Sequence, residues 1–341
     1  MLLVRVCHPF RKERSVTELF DIRLASKQTA FTEIPVIDIS PLINGENPLR
    51  VASQIGEACE KVGFFYIKNH GVSQQLIDEM YRLTKLFFKL SSEEKNTLNI
   101  VNSGLTLRGY IPMYAENVDP ANTRDFKECF DYGAHYDEVS PFFGPNQMPS
   151  GLPQFETVAE DYHSAVLALA RTLIGGIALS LDLPQNYFEQ RQRKPITIQR
   201  VLRYPPQIGK VSLEEIGIGA HTDYGFLTVL SQDTVGGLQV KNRAGEWVTA
   251  PPVEGTFIVN IGDLVQTLTN DRYTSTMHRV INTSGLERYS IPFFIDLDFD
   301  AVVEPVPTCV SEALPAKYEA YTCGKHKFKR FVDSYAHLKG E

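Results

Sequence analysis

The 341-residue chain has 43% hydrophobic and 22% charged residues, the balance of a soluble globular protein with a sizeable core. A net charge of -7 without a long basic block argues against a broad nucleic-acid surface, which needs clustered Lys and Arg. Five widely spaced cysteines (Cys7, Cys59, Cys129, Cys309 and Cys323), with no C-x-x-C pair, argue against a zinc ribbon or a secreted disulfide framework and for free thiols in a reducing cytosol.

Residues 1–33 read as a mobile extension, with neither the order of a signal peptide nor the acid-poor composition of a transit peptide. Residues 34–39 read as a short strand and 50–62 as a helix with Val51, Ile55, Ala58, Cys59 and Val62 on one stripe, ended by Gly63. A strand at 64–67 and a turn at Asn69-His70-Gly71 follow. Ser73 is the expected N-cap of a helix carrying Leu76, Met80, Leu83, Leu86, Phe87 and Leu90, and Ser91-Ser92-Glu93-Glu94 opens a further turn. Residues 96–150 are rich in Gly, Pro and Asn and read as irregular; loops that long inside a domain are usually functional. The apolar stretch at 165–183 is broken by Arg171, Gly175-Gly176 and Asp182, so it reads as a buried core helix (159–181) rather than a membrane span.

From residue 196 the pattern changes. Short β-rich runs at 197–204, 217–222, 226–232, 238–241, 247–250, 256–261, 276–282 and 289–296 are separated by Gly-containing turns, which suggests a jelly roll or barrel. Helical composition returns from Pro315. The expected organisation is an extension (1–33), a helical region with substrate-side loops (34–150), a core helix and connector (151–195), an all-β catalytic core (196–300) and a helical tail (301–341).

His221-Thr222-Asp223 is the sharpest local feature. Residues two apart on a strand share a face, so both side chains can reach one metal, and His278 in the run at 276–282 offers a third ligand. Two imidazoles and one carboxylate form the facial triad of non-haem iron(II) oxygenases, although zinc accepts the same donors. Beyond His278, Arg288-Tyr289-Ser290 places an Arg fork and a hydroxyl on one strand face, a clamp suited to a carboxylate. A zinc hydrolase has no evident use for that clamp; an oxygenase driven by a dicarboxylate does.

Over roughly residues 34–330 the chain resembles the isopenicillin N synthase-like branch of the iron(II)/2-oxoglutarate-dependent dioxygenases. The matching segments are IPVIDIS (34–40), GFFYIKNHGV (63–72), RGYIP (108–112), KECFDYG (127–133) and RVLRYPP (200–206). They continue through GIGAHTDYGFLTVLSQD (217–233), GGLQV (236–240), VNIGDLVQTLTN (259–270), MHRV (277–280) and RYSIPFF (288–294). The resemblance implies a double-stranded β-helix, the cupin-like jelly roll of an α+β protein, flanked by helices. It implies iron(II) on His221, Asp223 and His278, 2-oxoglutarate on Arg288 and Ser290, Tyr204 beside the co-substrate, and dioxygen as oxidant. It implies hydroxylation of an unactivated C–H bond, or desaturation or cyclisation, with 2-oxoglutarate converted to succinate and CO2.

Two departures bear on the reading. Many plant members carry Asn-Tyr-Tyr-Pro where this chain has Leu202-Arg203-Tyr204-Pro205, and the form here resembles microbial members, including ethylene-forming enzymes, in which an Arg at the position of Arg200 faces the site. Isopenicillin N synthase keeps the Arg-Ser pair but binds its substrate's carboxylate with it, so the clamp indicates a carboxylate without naming it. A 2-oxoglutarate-independent oxidase and an ethylene-forming type of enzyme are thus the alternatives. For the substrate, Arg200 and Arg108 are the expected anion anchors, Tyr110 a wall or hydroxyl, and Phe126, Phe130 and Tyr224 apolar surface, while Glu128 and Asp131 suit salt bridges and Phe328 and Phe331 suit the mouth. A small molecule, with an amino acid or derivative ahead of a flat natural product, is the expected substrate of a cytoplasmic monomer.

Overall fold

The computed structural model describes residues 24–27, 34–207, 211–212, 214–335 and 338. Along the chain it places β1 (Val36–Asp38), α1 (Ser40–Asn44), α2 (Pro48–Lys61), β2 (Phe64–Lys68), α3 (Gln74–Lys89), α4 (Ser92–Thr97), β3 (Gly109–Ile111), β4 (Arg124–Asp125) and β5 (Glu128–Tyr132). Next come α5 (Pro153–Ser180), β6 (Pro195–Tyr204), β7 (Glu215–Ile216), β8 (Ile218–His221), β9 (Leu227–Gln232), β10 (Leu238–Lys241), β11 (Trp247–Thr249) and β12 (Thr256–Ile261). The chain continues with α6 (Asp263–Leu268), β13 (His278–Val280), β14 (Arg288–Asp298), β15 (Val302–Val303), β16 (Tyr321–Thr322) and α7 (Cys323–Ser334).

Two sheets form the core. The major sheet runs β1-β2-β12-β9-β14-β6-β5-β3 and the minor sheet β11-β10-β13-β8. A cavity lined by both sheets lies between them. This is the jelly-roll core that the strand spacing predicts. Helices α2 and α3 both pack on α5, which also meets β9 and β14 of the major sheet. The apolar stripes drive that packing: Val51, Ile55, Ala58 and Cys59 on α2, and Ile77, Met80, Leu83 and Phe87 on α3, are all buried. Helix α5 is long and apolar enough to cross a membrane, but Phe155, Tyr162, Val166, Leu169, Leu173 and Ile177 are buried in the core.

Local signals explain the helix ends. The Asn47 side chain accepts from the amide of Arg50 at the start of α2. Gly63, at φ +73°, returns its amide to the carbonyl of Ala58, and a Cβ there would stand 2.2 Å from the Thr274 carbonyl oxygen. Ser91 and Glu94 form a reciprocal capping box before α4. Ser73 precedes α3 as expected but makes no side-chain cap hydrogen bond.

Two expectations need correction. The stretch at 96–150 is not wholly irregular, because β3 and β5 extend the major sheet. All five residues of β5 are buried, so it lacks the alternation that marks a half-exposed strand. Part of the supposed extension is packed. Lys27 bridges Val248 at the edge of the minor sheet, and Leu24 is fully buried with Val211, Ile216 and Ile281. The rest of 1–33, Cys7 included, lies outside the described residues. Cys59, Cys129, Cys309 and Cys323 are buried free thiols.

Candidate active site

His221 closes β8 and His278 opens β13, and the two are cross-strand partners in the minor sheet. Strand β8 ends at His221, so Asp223 reaches the same point from the turn that follows rather than along a strand face. One ligand atom from each of the three side chains lies within 4.8 Å of the others. Asp223 Oδ1 is 3.7 Å from His221 Nε2 and 3.6 Å from His278 Nε2.

The surroundings prepare each group as a ligand. His221 Nδ1 lies 2.8 Å from the Gly219 carbonyl and His278 Nδ1 3.1 Å from the Thr276 carbonyl. Carbonyls only accept, so each Nδ1 carries the proton and each Nε2 presents a lone pair. Burial pushes the His221 imidazole down to about 4; the His278 ring adds to this and Asp223 opposes it. Asp223 Oδ2 accepts from Thr228 Oγ1 at 2.5 Å and Asn260 Nδ2 at 2.7 Å, which leaves Oδ1 facing the imidazoles. Burial works against this carboxylate's charge, but the two imidazoles and these hydrogen bonds together hold its pKa below the usual range. Two neutral nitrogens and one carboxylate oxygen are a donor set that would suit iron(II) and would leave further coordination positions open.

The clamp lies in the same cavity on the major sheet. Arg288 and Ser290 stand on β14, and Tyr204 on β6 is the cross-strand partner of Arg288. Arg288 is 1% exposed, and its guanidinium lies 4.6 Å from the centre of the Tyr204 ring. Its hydrogen bonds are long, 3.3 Å to Ser290 Oγ and 3.4 Å to Gln232 Oε1. Its Nε has no partner, and among the described residues no carboxylate forms an ion pair with it. A buried cation without an anion is costly, so this residue fits an anionic ligand.

The residues expected at the substrate separate into two groups. Arg200 and Tyr224 line the lobe beside the metal-ligand cluster, with Val118, Ile198, Phe294 and Phe331. Arg200 is not free to anchor an anion, which corrects its expected role. It holds Asp131 with two bonds of 2.7 Å, Glu116 at 2.8 and 3.0 Å, and donates to Tyr335 Oη at 2.9 Å. Tyr224 lines this lobe, and its hydroxyl is 2.7 Å from Ser334 Oγ.

Arg108, Tyr110 and Phe130 do not line the cavity. Arg108 donates to the carbonyls of Ala134, Phe142 and Gly144 and to the Asn146 side chain, knitting the irregular segment together. Tyr110 donates to Glu128 at 2.5 Å, where Lys95 and Arg203 also converge. Phe130 packs on Phe87 with ring centres 4.7 Å apart. Glu128 and Asp131 are buried strand residues, paired as salt bridges but not on a loop.

Comparison with known proteins bears on the chemistry. Residues 34–151 match the model described as non-haem dioxygenase in morphine synthesis N-terminal, and residues 190–297 match the 2OG-Fe(II) oxygenase superfamily. A homoarginine-6-hydroxylase of Glycine max is 39% identical over 92% of this chain and 97% of its own. The chain belongs to the 2OG-Fe(II) oxygenase superfamily. A 2-oxoglutarate-Fe(II) type oxidoreductase of Emericella nidulans is 36% identical, covering 85% of this chain and 87% of its own. The crystal structure of a full-length Neurospora crassa protein in complex with alpha-KG and thymine superposes with a TM-score of 0.79 at 30% identity, over 89% of this chain and 97% of that one. This oxygenase uses iron(II) and 2-oxoglutarate and hydroxylates small molecules.

The sequence reading missed the residues that support the site. Thr228 and Asn260 hold Asp223, and Asn260 is visible in sequence only as a polar residue inside an apolar strand. Asp125 is fully buried and accepts the amide of Gly219, whose carbonyl orients His221. Glu116 lies on the cavity wall, and nothing in its local sequence distinguishes it from a loop carboxylate.

Proposed function

We propose that His221, Asp223 and His278 hold iron(II), and that Arg288 and Ser290, with Tyr204 beside them, seat the distal carboxylate of 2-oxoglutarate. The lobe bounded by Glu116, Tyr224, Phe294 and Phe331 then receives an amino acid or amino-acid derivative, one C–H bond of which is hydroxylated. The observation that carries this reading is the pairing, in one cavity, of a preorganised His-Asp-His cluster with a buried arginine that lacks an anion. The hydroxylase of Glycine max named for homoarginine supports an amino-acid substrate.

Iron(II) with 2-oxoglutarate and dioxygen supplies the oxidising power, and the co-substrate leaves as succinate and CO2. The chain's own residues supply position and exclusion. Thr228 and Asn260 fix which oxygen Asp223 presents, and the Gly219 and Thr276 carbonyls fix both imidazole tautomers. Val118, Ile198, Phe294 and Phe331 give the substrate lobe apolar walls that limit competing water. The reading extends to a cytoplasmic monomer acting on a diffusible molecule, without nucleic acid or membrane as partner; the net charge of -7 and the buried free thiols support it.

Anaerobic addition of iron(II) and 2-oxoglutarate tests the site. A metal-to-ligand charge-transfer band should appear and should be lost in Asp223→Ala together with turnover. An Asp223→Ala protein that keeps the band or full activity would refute the assignment. Substrate turnover without stoichiometric succinate would point instead to a 2-oxoglutarate-independent oxidase.

A further inference from the structure

Behind the substrate lobe lies a buried ionic cluster that the iron chemistry does not use. Arg200 bridges Asp131 and Glu116, while Lys127 bridges Glu116 and Asp125 at 2.9 and 3.0 Å. Three carboxylates face two cations, so the cluster as a whole carries one net negative charge, although Glu116 itself is held by both cations. Lys127 and Arg200 are both held fully charged by these partners, which outweigh burial. The other cation on the lobe, Lys327, is matched by Asp296.

The iron side does not supply the missing positive charge. The metal and Arg288 are together balanced by Asp223 and the two carboxylates of 2-oxoglutarate. Among the described residues lining the lobe, the only carboxylate besides Asp223 is Glu116. A substrate carboxylate entering here meets no cation that is not already engaged. An incoming cation meets the net negative charge of the cluster, which reaches the lobe through Glu116, in a poorly solvated wall where charge interactions are stronger than in water.

We propose that the substrate presents a cationic nitrogen, ammonium or guanidinium, to Glu116, and that Glu116 selects for it. This rests on the iron(II)/2-oxoglutarate reading above. Glu116 is a specificity-determining residue and takes no part in the oxidation. The apolar walls around it, Val118, Phe294 and Phe331, suit the methylene stem that carries such a nitrogen.

The test uses the full chain loaded anaerobically with iron(II) and 2-oxoglutarate. L-homoarginine, its neutral ureido isostere L-homocitrulline, L-lysine and thymine are titrated in turn, read by perturbation of the charge-transfer band and by calorimetry. A charge-assisted contact predicts that a cationic probe binds about 10–100-fold more tightly than its neutral isostere. In Glu116→Gln that preference should collapse while 2-oxoglutarate affinity is kept. Equal or tighter binding of the neutral probes, failure of every cationic probe at millimolar concentration, or a preference that survives Glu116→Gln overturns the proposal. Should Glu116→Gln not fold, as judged by its melting curve, the wild-type comparison of isosteres decides alone. Absence of the charge-transfer band before any probe is added would strike the metal and co-substrate assignment instead.

Discussion

Arg200 and Arg288 lie on adjacent strands of the major sheet, both are buried, and both line the same cavity. Their surroundings are opposite. Arg200 is enclosed by two carboxylates and a tyrosine hydroxyl, whereas Arg288 has two long contacts to neutral oxygens and an unpartnered Nε. The first is an internal ion pair that binds the wall together. The second is a cation with no anion among the described residues, as the proposed 2-oxoglutarate seat would require. Burial and residue type alone do not separate a structural arginine from a binding one; the pairing does.

Substitution should expose the difference. Arg200→Met strands Asp131 as a buried charge, leaves Glu116 to Lys127 alone, and should cost about 3–5 kcal/mol, read as a lower denaturation midpoint. A variant as stable as the parent would remove the structural role. A third buried arginine, Arg108, donates mainly to carbonyls, and among the described residues it forms no salt bridge. Burial, with the Arg108 charge adding to it, pushes the nearby His163 imidazole down to about 4, against about 6.5 in an unfolded chain. Between those values the unfolded chain binds more protons, so stability should fall as pH drops from about 6.5 to about 4, by roughly 2–4 kcal/mol. Melting temperature followed against pH should show a shallower decline in His163→Asn, and an unchanged slope would exclude this source.

Arg288→Met should leave stability level or slightly higher, since it removes an unpaired buried charge. It should raise the 2-oxoglutarate concentration needed for half-maximal succinate formation by about 10–100-fold. If instead stability collapses and that requirement stays, the roles of the two arginines are reversed. Ser290→Ala removes one neutral hydrogen bond and should raise the same requirement only severalfold, roughly the effect of 1 kcal/mol; a loss as large as that of Arg288→Met would make the hydroxyl the principal anchor.

The catalytic core was legible because it is written in residue types that have few other uses together. The strand runs and their glycine turns announce the jelly roll, and His221, Asp223, His278, Arg288 and Ser290 converge on one cavity between the sheets. The helical layer was legible through its apolar period, with Ile77 and Phe88 more buried than the expected Leu76 and Leu90. The substrate wall was not legible. Arg108, Tyr110 and Phe130 have the right chemistry for a pocket, but their partners, the carbonyls of 134–144, Glu128 and Phe87, are fixed only by the fold. Strand β5 was hidden because its charged residues, Glu128 and Asp131, are neutralised across strands by Arg203 and Arg200. A charge in a sequence reads as solvent until its counter-ion is located.

Tyr335 and Phe331 close the wall behind the cavity: Tyr335 receives Arg200, bridges Glu116, and stacks on Phe331. During synthesis this part of the wall follows the strands it covers. The ribosome releases His221, Asp223 and His278, then β14, before the segment at 331–335, at several residues per second. The two sheets that enclose the His-Asp-His cluster are therefore made before the residues at 331–335 that wall the lobe. Order along the chain thus separates the strands of the cavity from the helix that walls it.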